Sequence, residues 1–233
     1  MPRDIAGDKP PFDVDDVASP VTPEHEKKER IVKESAPSII GSGWGVQKTV
    51  QMSGDRPVQF KVDEGKEYLV KFIQETPFAN FYQHWPSGLP ADVKQRSYVC
   101  LGVGCPLCAY GDKPKAANYF NLLDVTEEPV LKVWYASPDP AGAIRDRSES
   151  KRSSPLNRAD LYFIVSKHTQ ANGIPTYTVD YVKEADLEED WGIKPLVPAT
   201  ITELSKKAYT SDIVRVNSKA ELQALAEKYL SED

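Results

Sequence analysis

The chain has 233 residues, 40% of them hydrophobic, which is enough for one medium-sized domain with tails or for two small domains. It lacks the run of roughly 18 apolar residues that a membrane-spanning helix needs. It begins with MPRDIAGDKPPFDVDD, which has neither the basic start nor the apolar stretch of a signal peptide. We therefore expect a cytoplasmic protein with no membrane partner.

The formal net charge of −6 argues against a nucleic-acid partner, because phosphate binding depends on Lys and Arg. The acidic excess, however, lies in the flanks. Residues 1–39 carry a net charge of −3 and residues 186–233 carry −4, whereas residues 40–185 carry +1. A locally basic stretch in this middle part contains Arg145, Arg147, Lys151, Arg152 and Arg158. The middle of the chain is thus compatible with an anionic partner.

Residues 1–38 are rich in Pro, Asp, Glu and Lys and poor in aromatics, which predicts a disordered acidic arm. A β-rich domain is predicted from residue 39 to 185, because short apolar or alternating runs are separated by turn-like segments. The predicted strands are IIGSGWGVQKTVQ, KEYLVKFIQ, FANFYQHW, RSYVCL, NYFNLLDV and VLKVWYAS.

A long polar break, SPDPAGAIRDRSESKRSSPLNRAD, follows and predicts at most a short helix over AGAIRDR. Two further strands, DLYFIVSK and TYTVDYVK, are joined by HTQANGIP, whose Asn-Gly pair indicates a hairpin. Residues 186–233 are predicted to form an acidic linker and two helices, ATITELSKKAY and KAELQALAEKYL. Ser218 and Glu221 fit a capping box at the start of the second helix.

All three cysteines lie between positions 100 and 108, which favours a metal or redox site over disulfides in a reducing compartment. Cys105 and Cys108 form a Cys-x-x-Cys pair that can place two thiolates on one tight turn. Cys100 and His84, each from a predicted strand, complete a Cys3His set typical of tetrahedral zinc. Because such a set is filled, we predict one structural zinc ion.

Other interpretations of these residues remain open. The Cys-Pro-Leu-Cys sequence is also typical of glutaredoxin active sites, although Gly111 and Pro114 oppose the long helix that follows the pair there. The thiols could instead be inert and buried, and His168 is an alternative fourth ligand. No Walker loop, Gly-x-Ser-x-Gly elbow or His-Glu-x-x-His helix is present, so we expect no enzymatic activity.

Several predicted strands carry aromatic and basic residues together. Stacking platforms and cations are what single-stranded nucleic-acid binding requires. The predicted DNA-binding residues are Lys71, Phe81, Tyr82, Trp85, Tyr110, Lys113, Lys115, Tyr119, Lys132, Trp134, Arg145, Arg147, Lys151, Arg152 and Arg158. The competing interpretation is that the aromatics are ordinary core and the basic loop a solvated surface.

The order of these motifs resembles the zinc-containing single-stranded DNA-binding proteins of tailed bacteriophages. The resemblance covers about residues 40–185: strands around a His…Cys…Cys-x-x-Cys insertion, then NYFNLLDV, the basic loop and the final strand pair. It implies an OB-fold barrel with a zinc subdomain inserted at about residues 78–116 and a DNA cleft beside it. It also implies a bacterial host cell and a C-terminal region that binds replication or recombination proteins.

The resulting expectation is a non-enzymatic protein that coats transient single-stranded DNA in phage replication, recombination and repair, without reading sequence. Acidic flanks would compete with DNA, so deleting residues 186–233 is expected to tighten binding at low salt. The alternative hypothesis, favoured by the net acidity, is a zinc-stabilised module that binds a replication or transcription protein.

Overall fold

The computed structural model describes Gly43 and residues 57–231. The predicted acidic arm (residues 1–38) and, except for Gly43, the first predicted strand lie outside the described residues. The strands are β1 (Gln59–Phe60), β2 (Glu67–Phe72), β3 (Ala79–His84), β4 (Tyr98–Val99), β5 (Lys115–Asp124), β6 (Val130–Ala136), β7 (Leu161–Thr169) and β8 (Pro175–Lys183). The α-helices are α1 (Pro106–Ala109), α2 (Pro138–Glu149), α3 (Leu187–Trp191), α4 (Pro198–Ser205) and α5 (Lys219–Tyr229).

The strands form one sheet in the order β1-β6-β5-β2-β7-β8, and β3 pairs with both β4 and β5. The long strand β5 organises the sheet, because its first half pairs with β3 and its second half with β2. All pairs are antiparallel except β1 with β6. The prediction of a mainly β domain is therefore confirmed. The described strands leave the sheet open, so the predicted OB-fold barrel is not confirmed.

Helix α2 differs from the short helix predicted after β6, since it spans 12 residues. Pro138 and Pro140 lie in its first turn, where a missing backbone N–H costs nothing because no partner exists within the helix. Ala141 and Ile144 are buried against one face of the sheet, in a core with Phe72. The helix thus begins at Pro138, three residues before the predicted AGAIRDR segment, and extends two residues beyond it.

The C-terminal segment covers the opposite face of the sheet. Leu187 is fully buried beside Leu69 and Leu123, and Val214 is buried beside Tyr119. The segment that the sequence predicts as an acidic linker therefore packs against the sheet, with its charged side chains exposed to solvent. Of the helices among the described residues, none has the length and apolar character required to cross a membrane.

Candidate metal centre and adjacent basic groove

The predicted metal ligands converge because of the strand pairing around β3. His84 ends β3 and is paired with Tyr98 of β4, which brings Cys100, two residues later, to the same end of the sheet. The Cys100 N–H donates to the carbonyl of Tyr82 at 2.8 Å, which fixes the chain where it leaves β4. The two ligands that are 16 positions apart in sequence are therefore neighbours in space.

Cys105 and Cys108 lie on a single turn of helix that follows a glycine-rich loop. Cys105 is the N-cap of α1, and the helix ends at Ala109, so the long helix of a glutaredoxin site is not formed. Gly102 and Gly104 have φ angles of 73° and 76°, a left-handed conformation that favours glycine. The Gly102 N–H points to the Cys100 sulfur at 3.4 Å.

The four ligand atoms form a compact cluster, all within 4.8 Å of one another. The His84 Nε2 atom lies 3.5 Å from the Cys105 sulfur and 3.6 Å from that of Cys108, and the Cys100 and Cys108 sulfurs are 3.6 Å apart. Ligands at about 2.3 Å around a tetrahedral zinc ion would be separated by about 3.8 Å. The cluster has nearly these dimensions and could hold one metal ion, which is consistent with structural zinc.

The thiols of this cluster have strongly divergent acidities. The hydrogen bond between Cys100 and Cys105 raises the pKa of Cys100 and lowers that of Cys105, and burial raises the pKa of Cys108. Three crowded sulfurs can all carry negative charge only when a cation between them compensates it. The chemistry of the donor set therefore fits a thiophilic divalent metal.

Asp112 is a part of this centre that sequence analysis missed. Its Oδ2 atom lies 2.6 Å from Nδ1 of His84, so Nε2 faces the sulfurs. Burial alone would lower the pKa of His84, but its hydrogen bonds to Cys105 and Asp112 raise it. A more basic imidazole is a stronger metal ligand, and carboxylate–histidine pairs commonly orient metal-binding rings. Nothing in the local sequence distinguishes Asp112 from a surface acid.

Five of the predicted DNA-binding residues lie around the metal centre with exposed side chains. Tyr82, Trp85 and Tyr110 are 49%, 43% and 36% exposed, an unusual degree for large aromatics. Lys113 and Lys115 are also exposed. Lys115 is paired with Gln83, so alternation along the strands places both on the same face of the sheet as Tyr119.

Four other predicted DNA-binding residues are buried, and for these the interpretation as core replaces the prediction. Phe81 and Trp134 are 1% and 4% exposed and make edge-to-face contacts with Tyr119 and Phe60, respectively. Neither ring can stack on a base while the core stays packed. Tyr119 is 8% exposed but lies at the floor of a groove described below.

The fourth buried residue, Lys71, is bound by backbone carbonyl groups. Its Nζ atom donates to the carbonyls of Ala159 and Leu161 at 2.8 and 2.9 Å and lies 4.3 Å from the centre of the Tyr162 ring. Burial lowers its pKa to about 8, although Glu184 and Asp160 act in the opposite direction. This lysine fixes the loop before β7, and its ammonium group is not accessible to a DNA phosphate.

The remaining basic residues differ in their availability. Arg147 donates to the Val179 carbonyl and to Asp180, and the Arg158 guanidinium forms two hydrogen bonds with Asp160. Lys132 is bound to Asp124 at 2.7 Å. The other three predicted cations of this stretch are Arg145, Lys151 and Arg152; their side chains are exposed to solvent, although Arg145 also makes an interaction within the protein.

A groove of about 580 Å³ lies on the face of the sheet that carries Tyr119, and its lining includes Gln83 and Val99, the chain neighbours of His84 and Cys100. We call it the basic groove. Its two walls are residues 94–97 and residues 213–215, which contribute Lys94, Arg96 and Arg215. Its floor contains Gln83 and the stacked pair Tyr119 and Tyr135, whose ring centres are 4.2 Å apart. Burial raises the pKa of both tyrosines, so their hydroxyls remain neutral and do not repel an anion.

Sequence analysis did not find this groove, because its cations are isolated in sequence. Lys94 and Arg96 lie in the loop between β3 and β4, and Arg215 lies near the C-terminus, between α4 and α5. No local pattern joins them. Only the path of the C-terminal segment across the sheet brings the two walls together. Tyr119 and Lys115 are the predicted residues that belong to or border this surface.

The comparisons with known proteins gave no match: no protein-family model fits the sequence, and no similar curated protein or solved structure was found.

Proposed function

We propose that this protein binds single-stranded DNA without sequence specificity and without enzymatic activity, as a coating protein in phage replication, recombination and repair. The basic groove carries the proposal. Lys94, Arg96 and Arg215 come from two segments and line the same groove as the stacked Tyr119 and Tyr135, in a chain whose net charge is −6. The Arg215 guanidinium also lies 4.0 Å from the Glu221 carboxylate. Cations that hold phosphates, together with rings that stack on bases, form the usual combination for binding single strands. In this groove the half-buried Tyr135 would offer the stacking ring, and the buried Tyr119 packs behind it.

The dimensions and surroundings of the groove support this proposal. Its volume of about 580 Å³ is within the range of ligand sites, roughly 300–1,000 Å³. Lys115 extends the same face along β5, and the exposed Lys113 precedes it in the chain. Tyr82, the neighbour of Gln83 on β3, lies on the opposite face, so it is not part of this surface.

In this proposal the metal is one zinc ion on His84, Cys100, Cys105 and Cys108, and its role is structural. With four protein ligands it would have no position for a substrate water. The open sheet described above would be part of an OB-fold barrel, which remains a prediction. The resemblance to the zinc-containing single-stranded DNA-binding proteins of tailed bacteriophages also supports two further parts of the proposal. The protein would act in the cytoplasm of the host cell, and its C-terminal region would bind replication or recombination proteins.

The test is fluorescence anisotropy of a labelled oligothymidine with the full-length protein, as a function of salt. Lys94→Ala, Arg96→Ala and Arg215→Ala should each weaken binding. Each should also make the slope of log K against log salt shallower by about 0.7, because one fewer counterion is released from a single strand. Lys66→Ala is the matched control, since Lys66 is exposed and paired with Asp63 away from the groove.

Two results would contradict the proposal. An absence of binding at low salt would reject the DNA-binding function and favour the protein-interaction module. Binding that the three groove variants leave unchanged, with the same salt slope as Lys66→Ala, would remove the groove as its basis. Replacing Tyr135 by Leu should weaken binding with little change in the salt slope, because stacking contributes about 1–3 kcal/mol per base and involves no counterions.

A further inference from the structure

Both walls of the basic groove are attached to the metal centre. The first wall, residues 94–97, belongs to the loop that joins the ligands His84 and Cys100. Residues 85–97 contain no helix or strand. The loop is held by its two ends, by Leu89 and Val93, which pack in the cluster that contains Cys105, and by side-chain bonds such as the one from Arg96 to the Leu89 carbonyl at 2.8 Å. A change in the position of either ligand would be transmitted to this wall.

The second wall, residues 213–215, is attached through α5. This helix packs on the metal-binding turn, because Leu222 and Ala226 are fully buried in a cluster with Cys105 and Leu107. Residues 216–218 join this wall to the start of α5. A complete capping box between Ser218 and Glu221 fixes the point where α5 begins. The position of the wall thus depends on the surface that the metal-binding turn offers to α5.

A hydrogen bond connects the first wall to Asn217, two residues after the second wall. Nε2 of Gln95 donates to Oδ1 of Asn217 at 2.8 Å and to the carbonyl of Ser97 at 2.9 Å. Asn217 is 6% exposed, so its amide cannot readily replace this partner by water. The bond fixes the separation between the segment that carries Arg96 and the segment that carries Arg215.

We propose that the metal centre sets the geometry of the basic groove, with α5 as the coupling element and Gln95 and Asn217 as positioning residues. This inference rests on the proposed function. When the metal is bound, the two walls are held at a fixed separation and their cations line the same groove. When the metal is removed, the turn loosens, α5 loses its docking surface and the walls separate. Single-strand binding then falls while the sheet remains folded.

The test compares Gln95→Ala, Asn217→Ala and the double variant in oligothymidine binding by the full-length protein. Each single variant should lose about fivefold in affinity, the effect of one hydrogen bond of about 1 kcal/mol. The double variant should lose little more than either single variant, because both substitutions remove the same bond. Zinc content should stay equal to that of wild type. Gln170→Ala is the matched control, since Gln170 bonds to Thr176 in the β7–β8 turn.

A second measurement follows the wild-type protein during chelation of the metal. Hydrogen exchange should accelerate at residues 211–229 and 85–97 while the β7–β8 hairpin stays protected, and oligothymidine affinity should fall in parallel. Unchanged affinity after chelation, or full affinity in both single variants, would overturn the coupling and leave the DNA-binding function intact. If wild type does not bind oligothymidine at low salt, the proposed function itself fails.

Discussion

At the level of single residues, Asp112 decides how well His84 can serve as a ligand. The carboxylate holds Nδ1 at 2.6 Å, and the imidazole is fully buried, so the ring has one orientation available. Its charge also stabilises positive charge on the ring, which strengthens the bond from Nε2 to a metal. The sequence predicts the Cys3His ligands but not Asp112, which is also part of the site.

Asp112→Asn should reduce zinc affinity about 10- to 100-fold, because the amide can still accept a hydrogen bond but carries no charge. Competition with a chromophoric chelator at fixed pH measures this affinity. Asp92→Asn is the control, since Asp92 is an exposed acid in the loop between His84 and Cys100. Equal affinity in the two variants would show that Asp112 does not support the ligand.

Lys71 illustrates how a basic residue in a strand can serve the fold. The residue is 2% exposed, and its Nζ atom donates to the carbonyls of Arg158, Ala159 and Leu161. Removing Nζ would leave the buried Leu161 carbonyl and the partly buried carbonyls of Arg158 and Ala159 without this donor. Such a loss costs about 1–3 kcal/mol.

Lys71→Met should lower the free energy of unfolding by this amount, and the difference from wild type should depend on pH. In the folded protein burial lowers the pKa of Lys71 to about 8, from an ordinary value of 10.5. Between these pH values the unfolded chain binds more protons, so stability due to Lys71 rises with pH. Urea unfolding of both proteins from pH 7 to 10 measures the difference, with exposed Lys61→Met as control. A difference that does not increase above pH 8 would contradict the lowered pKa.

At the level of secondary-structure elements, local signals were sufficient where neighbouring residues determine the geometry. The Asn172-Gly173 turn joins β7 to β8 as predicted, and Gly173 has a φ of 79°. The capping box of α5 is also formed by Ser218 and Glu221 as the sequence indicates. In both cases the conformation depends on a few adjacent residues, so the local sequence predicts it without tertiary information.

Elements whose role depends on distant partners could not be predicted in this way. Helix α2 covers the edge of β8, where Asp139 accepts from the Tyr177 N–H and Arg147 donates to the Val179 carbonyl. From the sequence, Arg147 was indistinguishable from a phosphate-binding cation. Its partner lies 32 positions away, and pairing of this kind protects an exposed strand edge. The basic groove was hidden for the same reason.

At the level of the whole molecule, the C-terminal segment both carries acidic side chains and packs against the sheet. Glu188, Glu189 and Asp190 are exposed on α3, directly after the fully buried Leu187. From its charge alone, this segment would be expected to compete with DNA for the basic groove. The structure also makes it a cover for the sheet and, through Arg215, one wall of the groove.

Deleting residues 186–233 should therefore abolish binding, in contrast to the tighter binding expected from charge. Leu187 and Leu222 are fully buried, and each contributes about 1.5–3 kcal/mol, against a total stability of about 5–15 kcal/mol for a typical domain. The deletion should also lower the thermal midpoint and promote aggregation, measured by circular dichroism and light scattering.

A charge-only variant separates packing from electrostatics in this experiment. Replacing Glu188 and Glu189 by Gln and Asp190 by Asn removes three negative charges but retains every buried side chain of the segment. This variant should keep the wild-type thermal midpoint and bind oligothymidine more tightly at low salt, with the difference disappearing as salt screens the charges. A deletion protein that remains monomeric, melts like wild type and binds more tightly would show that residues 186–233 act only through their charge.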